Sequence, residues 1–400
     1  MDLGDEAPAL VSTTWLAAHL RNPHVRIVDA RWYLDGRKGV DAYRAGHLPG
    51  ALHLDVDTDL SAQPGPQAPG RHPLPSPAAF ADVLARAGVG STTRVIAYDD
   101  EGGSRAARIW WMLRYYGHGL GSVLDGGIAK WQAEGRALET GAARVARAQP
   151  MELVALPRRV VDKSRLLEML DDGHTVVIDA RTPERYSGAI EPLDRRAGHI
   201  PGALNAPYGH NLTPAGTFRP RDELHAYFTK LGAVEGKRVV VYCGSGITAC
   251  HSLLALHLAG FRDTYLYEGS WSDWSSDASL PIRTGIDPLR QPRGETPRAL
   301  AFLPRTCVRG GAKTPEVGRA AQRLRGARKV RVGPKEPADV DARAAASTVA
   351  RRLRIGRPPC SNLLRRWPSS ARRGRAERSR PPCSSPRSRP PGARVPSATG

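Results

Sequence analysis

The sequence predicts a duplicated α/β protein, in which two similar domains each build a mostly parallel sheet that is flanked by helices. Two observations carry this prediction. Residues 1–285 repeat the same short segments twice in the same order, and within each copy short apolar runs alternate with helix-like stretches. Parallel strands need crossover connections, which place helices on both faces of the sheet. The chain of 400 residues has room for two such domains and a further segment.

The repeat consists of four matched segments, each offset by about 143–152 residues. This period is far longer than that of a solenoid and indicates two whole domains. We place the domains at residues 8–140 and 158–285, joined by a linker at 141–157. The matched pairs are "VDARWYLDG" (28–36) with "IDARTPERYSG" (178–188), "AGHLPGAL" (45–52) with "AGHIPGAL" (197–204), "TRVIAYD" (93–99) with "KRVVVYC" (237–243), and "LDGGIAKW" (124–131) with "YEGSWSDW" (267–274).

The second copy shows the alternation of strands and helices most clearly. Short β-branched and aromatic runs predict buried strands at 175–180, 238–243 and 264–269. Helical periodicity predicts helices at 221–233 and 248–260, the second with a glycine as its C-terminal stop.

Charge is distributed very unevenly along the chain. Of its 59 Lys and Arg and 39 Asp and Glu residues, 28 and 7 lie in residues 286–400, so that segment carries +21 and residues 1–285 carry −1. The basic tail is rich in Arg, Pro and Ser and has too few apolar residues to offset its chain entropy, so we expect it to be disordered. Arginine runs attract phosphates, but the tail has little aromatic interleaving, and nucleic acid is not an expected partner.

Composition also bears on the compartment. No run of about 18 apolar residues occurs, so no membrane span is expected. The start, "MDLGDEAPAL", has neither a basic region nor an apolar region of the kind that signal peptides carry. Of five cysteines only Cys243 and Cys250 lie in residues 1–285, which is not a disulfide framework. We therefore expect a cytoplasmic protein.

A cysteine ends one of the predicted strands. Cys243 is followed by "GSGIT" (244–248) and then by a helix, so its thiol falls at a helix N-terminus. Unpaired backbone N–H groups and the helix dipole favour an anion there, which would hold the thiol as its nucleophilic thiolate. The glycines leave room for a substrate against the main chain.

The sequence around these cysteines bears on other interpretations as well. A cysteine after a strand is often a small buried apolar residue, but the first copy has Asp99 where the second has Cys243, which favours one working and one retired domain. Cys250, two helical turns on, is expected in the core. Cysteine phosphatases need an arginine six positions after the cysteine, where this chain has Ala249. The cysteine spacing fits neither a C-x-x-C motif nor a metal site.

Several motifs taken together resemble those of the two-domain rhodanese-like sulfurtransferases. They are "CGSGITAC" (243–250), the two "AGH" segments at 45–52 and 197–204, and "YEGSWSDW" (267–274). The resemblance covers about residues 8–285. It implies tandem domains with five-stranded parallel sheets, of which the first is inactive, with Asp99 at the cysteine position, and the second is catalytic. It also implies a monomer that needs no metal or organic cofactor.

The resemblance extends to the reaction. The loop is similar to the "CGSGVT" of mercaptopyruvate-type members and lacks the Arg-Lys pair of the thiosulfate-type "CRKGVT". It implies that Cys243 takes sulfur from 3-mercaptopyruvate as a persulfide, releases pyruvate, and passes the sulfur to a thiol, cyanide or a thioredoxin-like acceptor. Thiosulfate is the alternative donor. The residues expected to cradle the persulfide are Gly244, Ser245, Gly246, Ile247 and Thr248.

In mercaptopyruvate-type enzymes the serine of this loop works with an aspartate and a histidine of the first domain. The matching residues are Ser245, His72 in "RHPLP", and Asp57 in "HLDVD", with Asp55 as the alternative aspartate. A non-catalytic binding module is the remaining rival, because many rhodanese-like domains lack the cysteine. The intact loop around Cys243 argues against it.

The family also binds the substrate carboxylate with two arginines. Arg185 in "PERYSG" matches the first, and Arg195 in "EPLDRRAGH" the second, with Arg196 as the alternative. An arginine suits a planar carboxylate because its fork donates two hydrogen bonds. Arg181 and His199 recur in the first copy and are therefore expected to build the fold.

Overall fold

A computed structural model describes residues 7–65 and 68–286, which form two halves of the same architecture. Each half is a five-stranded sheet flanked by helices, and every strand pair in the described residues is parallel. The predicted fold class is therefore confirmed for these residues. Residues 287–400 lie outside the described part of the chain. The disorder predicted for the tail concerns these residues and stays a prediction.

The first half has its sheet in the order β1-β5-β4-β2-β3. Strands β2 and β4 pair over their whole length, from Val25 opposite Arg94 to Asp29 opposite Tyr98. The elements are β1 (Leu10–Val11), α1 (Thr13–His19), β2 (Val25–Asp29), α2 (Gly39–Ala45), β3 (Leu52–His53), α3 (Pro77–Arg86), β4 (Arg94–Tyr98), α4 (Ala106–Tyr115), β5 (Gly121–Leu124) and α5 (Gly127–Ala133).

The second half repeats this topology with the order β6-β10-β9-β7-β8. Strands β7 and β9 pair from Thr175 opposite Arg238 to Asp179 opposite Tyr242, in the register of β2 and β4. The elements are β6 (Val160–Val161), α6 (Lys163–Leu170), β7 (Thr175–Asp179), α7 (Pro183–Ser187), β8 (Leu204–Asn205), α8 (Arg221–Lys230), β9 (Arg238–Tyr242), α9 (Ala249–Leu258), β10 (Thr264–Tyr267) and α10 (Ser270–Trp274); short 3₁₀ turns span Pro157–Arg159 and Tyr208–Asn211.

The elements predicted for the second half are present. Strands β7, β9 and β10 and helices α8 and α9 begin within one residue of their predicted starts and end one to three residues early. Strand β9 ends one residue before the cysteine. The ladder stops at Tyr242 because the backbone of Cys243 already belongs to the loop that follows.

Helices α4 and α9 lie in a shared core of the two halves. Every residue from Ala106 to Leu113 and from Ala249 to Leu256 is buried, and both stretches belong to one apolar cluster. A helix that is buried on all sides needs no polar face. Because both helices are fixed in the same core, the loops at their N-termini are held in a defined position relative to each other. No helix in the described ranges has the length and apolar character required to cross a bilayer.

The residues expected to build the fold make matching contacts in both halves. Arg31 and Arg181 are buried, and each guanidinium pairs with the aspartate two residues before it and donates to a glycine carbonyl. His47 and His199 are buried as well, and Nδ1 of each imidazole lies 2.8 Å from the carbonyl oxygen of a tyrosine. These contacts support a structural role, because they do not depend on the presence of the cysteine.

Candidate active site

Cys243 is buried in the loop between β9 and α9, and hydrogen bonds to α10 fix its backbone. Its N–H donates to Ser270 Oγ at 3.1 Å, and its carbonyl accepts from the Trp271 N–H at 3.0 Å. The next carbonyl, that of Gly244, accepts from the Ser272 N–H at 2.9 Å. These bonds turn the first loop carbonyls toward α10 and away from the helix N-terminus.

The backbone N–H groups of residues 244–248 have no acceptor among the residues that the structure describes. The loop turns at Gly246, whose φ is +81° and whose carbonyl accepts from Arg108 Nη1 at 3.1 Å and from the Cys250 thiol at 3.3 Å. Successive N–H groups with the carbonyls turned away form a nest that binds anions. Cys250 itself is fully buried, as expected of a core residue.

The equivalent loop of the first half already holds an anion, the carboxylate of its own Asp99. Asp99 Oδ1 accepts from the N–H groups of Glu101 at 2.9 Å and Gly103 at 2.8 Å. Its Oδ2 accepts from those of Arg105 at 2.7 Å and Ala106 at 2.9 Å. Four donors on one buried carboxylate indicate that this strand–loop–helix junction is built for negative charge.

A hydrogen-bonded chain from the first half reaches the cysteine loop. His72 Nδ1 lies 2.7 Å from Ser245 Oγ, and His72 Nε2 lies 2.9 Å from Asp57 Oδ1. The other carboxylate oxygen of Asp57 accepts from the Trp32 indole at 2.8 Å. The alternative aspartate, Asp55, instead accepts backbone N–H groups of its own turn. The structure thus brings the predicted serine, histidine and first-choice aspartate together.

Burial lowers the pKa of His72, and the positive charges of Arg108 and Arg71 act in the same direction, whereas Asp57 opposes them. The imidazole is therefore neutral at physiological pH and carries one N–H. Because Asp57 can only accept, we assign that N–H to Nε2. Nδ1 is then the acceptor for the Ser245 hydroxyl.

Cys243, Ser245 and His72 line one pocket of about 280 Å³. This volume suits a small organic acid rather than a large cofactor. The pocket draws its walls from both halves. Its other lining residues are Trp32, Leu34, Arg71, Arg105, Arg185, Leu193, Gly244, Ile247 and Thr248. Gly246 does not line the pocket. Its carbonyl accepts a hydrogen bond from Arg108, and its positive φ sets the turn of the loop.

The predicted arginines separate into two groups. Arg185 lines the pocket, but Arg195 is exposed and does not, so its assignment to substrate binding requires correction. Arg196 is no substitute, because its guanidinium donates to four backbone carbonyls at and beyond the end of α10. Two arginines that the sequence did not single out, Arg71 and Arg105, lie in the pocket instead.

Ser270 is a further residue that sequence reasoning missed. It has a φ of +53°, the only positive φ of a non-glycine residue in the described ranges, and Gly127 holds the matching position of the first half at +55°. Its hydroxyl donates to the Tyr267 carbonyl at 2.9 Å and accepts the Cys243 N–H. The repeat could have revealed it, because the matched segments read "EGSW" in one copy and "DGGI" in the other, so that Ser270 stands where the first copy has a glycine. Strained residues of this kind cluster at functional sites.

The fold and site define a tandem α/β protein in which one of two equivalent anion-binding loops carries a cysteine. The family model described as "Rhodanese-like domain" matches residues 12–134 and again residues 162–277. The chain belongs to this family.

Several known relatives match over nearly their whole length. A probable 3-mercaptopyruvate sulfurtransferase of Pseudomonas aeruginosa is 41% identical over 283 residues, which cover 69% of this chain and 98% of the relative. A putative thiosulfate sulfurtransferase, SseB of Mycobacterium tuberculosis, is 39% identical, with 65% and 91% covered. The crystal structure of SseA from Escherichia coli, named among 3-mercaptopyruvate sulfotransferases, has a TM-score of 0.60 and 36% identity, with 66% and 100% covered.

Proposed function

We propose that this protein is a sulfurtransferase that takes a sulfur atom from 3-mercaptopyruvate, holds it as a persulfide on Cys243 and passes it to an acceptor. The observation that carries the proposal is the chain Ser245–His72–Asp57, which ends in the same pocket as Cys243. The similarity to enzymes named 3-mercaptopyruvate sulfurtransferase supports the donor. Pyruvate is the product of the first half-reaction.

The first half-reaction needs one proton to move away and return. The Cys243 thiol gives its proton through the Ser245 hydroxyl to His72 Nδ1, and Asp57 stabilises the imidazolium that forms. The thiolate then attacks the sulfur of the donor, an S–S bond forms, and the C–S bond breaks with its electron pair going to carbon as the pyruvate enolate. The enolate carbon takes the proton back through Ser245, which leaves Cys243 as a persulfide. The relay acts as general base and then as general acid.

The loop N–H groups of residues 244–248 stabilise anionic sulfur in both half-reactions. Preorganised backbone donors in a site closed to water are among the strongest contributions to catalysis. The four N–H groups on Asp99 support this role, since the equivalent junction binds a carboxylate in the first half. In the second half-reaction an acceptor thiolate or cyanide attacks the outer sulfur, and Cys243 leaves as the thiolate.

Thiosulfate is the second candidate donor. The relative named as a putative thiosulfate sulfurtransferase supports it, as do the arginines of the pocket, which could hold a sulfonate. Two features favour 3-mercaptopyruvate. The loop "GSGIT" carries no basic side chain, and an enolate leaving group needs the proton that the Ser245 relay returns, whereas sulfite leaves without one.

The acceptor is proposed to be a small thiol, cyanide or a thioredoxin-like protein, and the protein is proposed to act as a monomer in a reducing compartment such as the cytoplasm. The thiol chemistry supports the compartment, because Cys243 and Cys250 are both free cysteines and the reaction requires the first of them to stay reduced.

Steady-state kinetics with both donors test the proposal. For the wild type we expect a higher kcat/KM with 3-mercaptopyruvate than with thiosulfate. Ser245→Ala should lower kcat with 3-mercaptopyruvate by about 10²- to 10⁴-fold and lower turnover of thiosulfate less, because both donors need the Cys243 thiolate but only the enolate needs the returned proton. Equal losses with both donors, or a wild type that prefers thiosulfate, would contradict the proposed donor.

A further inference from the structure

Two guanidinium groups from different halves converge above Gly244, the residue next to the cysteine. A Cβ on Gly244 would lie 3.2 Å from Arg185 Nη1 and 3.3 Å from Arg71 Nη2. Both arginines line the Cys243 pocket. Arg185 comes from α7 of the second half, and Arg71 from the loop that precedes α3 in the first half.

A shared carboxylate fixes the orientation of both groups. Asp194 accepts from Arg71 Nη1 and, at 3.1 Å, from Arg185 Nη2, which also donates to Glu191 at 2.6 Å. The Asp194 side chain is only 4% exposed, so the arrangement is well enclosed. The nitrogens that approach Gly244, Arg185 Nη1 and Arg71 Nη2, have no acceptor within the part of the chain that the structure describes.

The backbone of Arg71 is also docked onto the second half. Its N–H donates to Ser272 Oγ at 3.1 Å. The preceding Gly70, with a φ of +77°, comes so close to Gly269 that a Cβ would lie 2.4 Å from its carbonyl oxygen. The first half therefore presents Arg71 to the pocket from a position that is fixed by the opposite half.

We propose that Arg71 is the second arginine of the substrate-carboxylate site, in the place that the sequence assigned to Arg195, and that it clamps the carboxylate of the keto-acid donor together with Arg185. This inference rests on the proposed function. Two free guanidinium nitrogens from different directions can take the two oxygens of one carboxylate. The clamp would close only when both halves are in contact.

The charges around the clamp fit a monoanion. Arg71 and Arg185 are balanced by Asp194 and Glu191, so the cluster contributes directed N–H donors with little net charge. A dianion such as thiosulfate would gain less from this arrangement than from an uncompensated pair of cations. A carboxylate with a neutral thiol is the better match, which makes Arg71 a residue that selects the donor.

The test compares Arg71→Ala with Arg195→Ala, which removes the same charge from an exposed site outside the pocket. Each is assayed with 3-mercaptopyruvate and with mercaptoacetone, which has the same keto and thiol groups but no carboxylate. For Arg71→Ala we expect kcat/KM to fall about 10- to 100-fold with 3-mercaptopyruvate, mainly through KM, and to change little with mercaptoacetone. Arg195→Ala should behave as the wild type, and Arg71→Lys should recover only part of the loss.

Equal losses with both donors would overturn the inference, because they would mean that Arg71 only positions His72 or the interface. No loss with either donor would overturn it as well. Calorimetric titration with pyruvate separates this inference from the proposed function, since it needs no turnover. Weaker pyruvate binding by Arg71→Ala supports the clamp even if the wild type transfers no sulfur, a result that would contradict the proposed function alone.

Discussion

At the scale of the residue, the proposed chemistry depends on which nitrogen of His72 can accept a proton. The neutral His72 can accept a proton only at Nδ1, the nitrogen that faces Ser245. Asp57 holds the other nitrogen and is itself held by Trp32. The lowered pKa matters because only a neutral His72 can act as the base.

The pH dependence of turnover tests this relay. Burial lowers the pKa of His72, and Asp57 is the group that raises it. Activity should therefore fall as pH drops through a value below 6.5, because His72 becomes protonated there. In Asp57→Asn this acidic limb should move to still lower pH, since the charge that stabilises the imidazolium is gone, and kcat should fall. Asp55→Asn is the matched control and should leave the profile unchanged; a limb that moves upward in Asp57→Asn would contradict the assignment.

Sequence reasoning identified some of these residues and not others, for physical reasons. Cys243 and Ser245 share one loop, and a short motif is enough to find them. Arg71 and Trp32 reach the pocket only because α4 and α9 pack the halves together, and no local pattern encodes that contact. Arg195 was predicted from the resemblance to the family's second carboxylate-binding arginine, but its side chain is exposed to solvent.

At the scale of the element, the two strand–loop–helix junctions have the same topology but differ in what lies against their loop N–H groups. The first holds its own carboxylate on four N–H groups, whereas the N–H groups of the second have no acceptor in the described residues and are proposed to bind the persulfide. The alternation of strands and helices was predictable from apolar runs and glycines. The strained Ser270 was not, because left-handed backbone at a serine contradicts its local preference.

The turn at Gly246 is the part of this loop most sensitive to substitution. A Cβ there would lie 2.6 Å from the Glu268 carbonyl oxygen, in a backbone with φ of +81°. Gly246→Ala should lower the free energy of unfolding by about 1–3 kcal/mol and reduce kcat. Gly216→Ala is the control, since Gly216 has a φ of +74° with nothing within 4 Å of its Cβ position. It should cost less stability and leave kcat intact; equal effects in chemical denaturation would show that the close contact does not matter.

The carboxylate of Asp99 should stabilise the first half without taking part in the reaction. Asp99→Ala leaves four N–H groups without their acceptor, three of them in buried hydrogen bonds, so the free energy of unfolding should fall by about 2–4 kcal/mol. KM for 3-mercaptopyruvate should change little. Thermal unfolding and steady-state kinetics measure the two effects, and an unchanged stability would contradict the view that this carboxylate fills an anion site.

At the scale of the whole molecule, the proposed mechanism takes its thiol from the second half and its base from the first half. On this proposal the first half is needed although it has Asp99 at the cysteine position, because Asp57 and His72 belong to it, as does Arg71. The duplication could be predicted from four matched segments, but the way that the copies face each other could not, since α4 and α9 are buried over most of their length and no local pattern marks the face on which they meet.

The basic tail should be dispensable for this chemistry. Among the residues that the structure describes, those that line the Cys243 pocket lie between Trp32 and Thr248. A variant that ends at residue 286 should keep the kcat/KM of the full chain, and should lose any salt-dependent binding to nonspecific DNA that the arginine runs confer. A variant of this length that is unfolded or inactive would contradict the prediction.

The proposed persulfide on Cys243 is tested most directly by the mass of the protein after brief incubation with 3-mercaptopyruvate in the absence of an acceptor. The wild type should gain one sulfur atom, located on Cys243 by peptide mapping and removed by cyanide, with pyruvate released in equal amount. Cys243→Ser should gain none and should transfer no sulfur. Sulfur transfer at the wild-type rate by Cys243→Ser, or a stable sulfur adduct on another residue, would contradict the account.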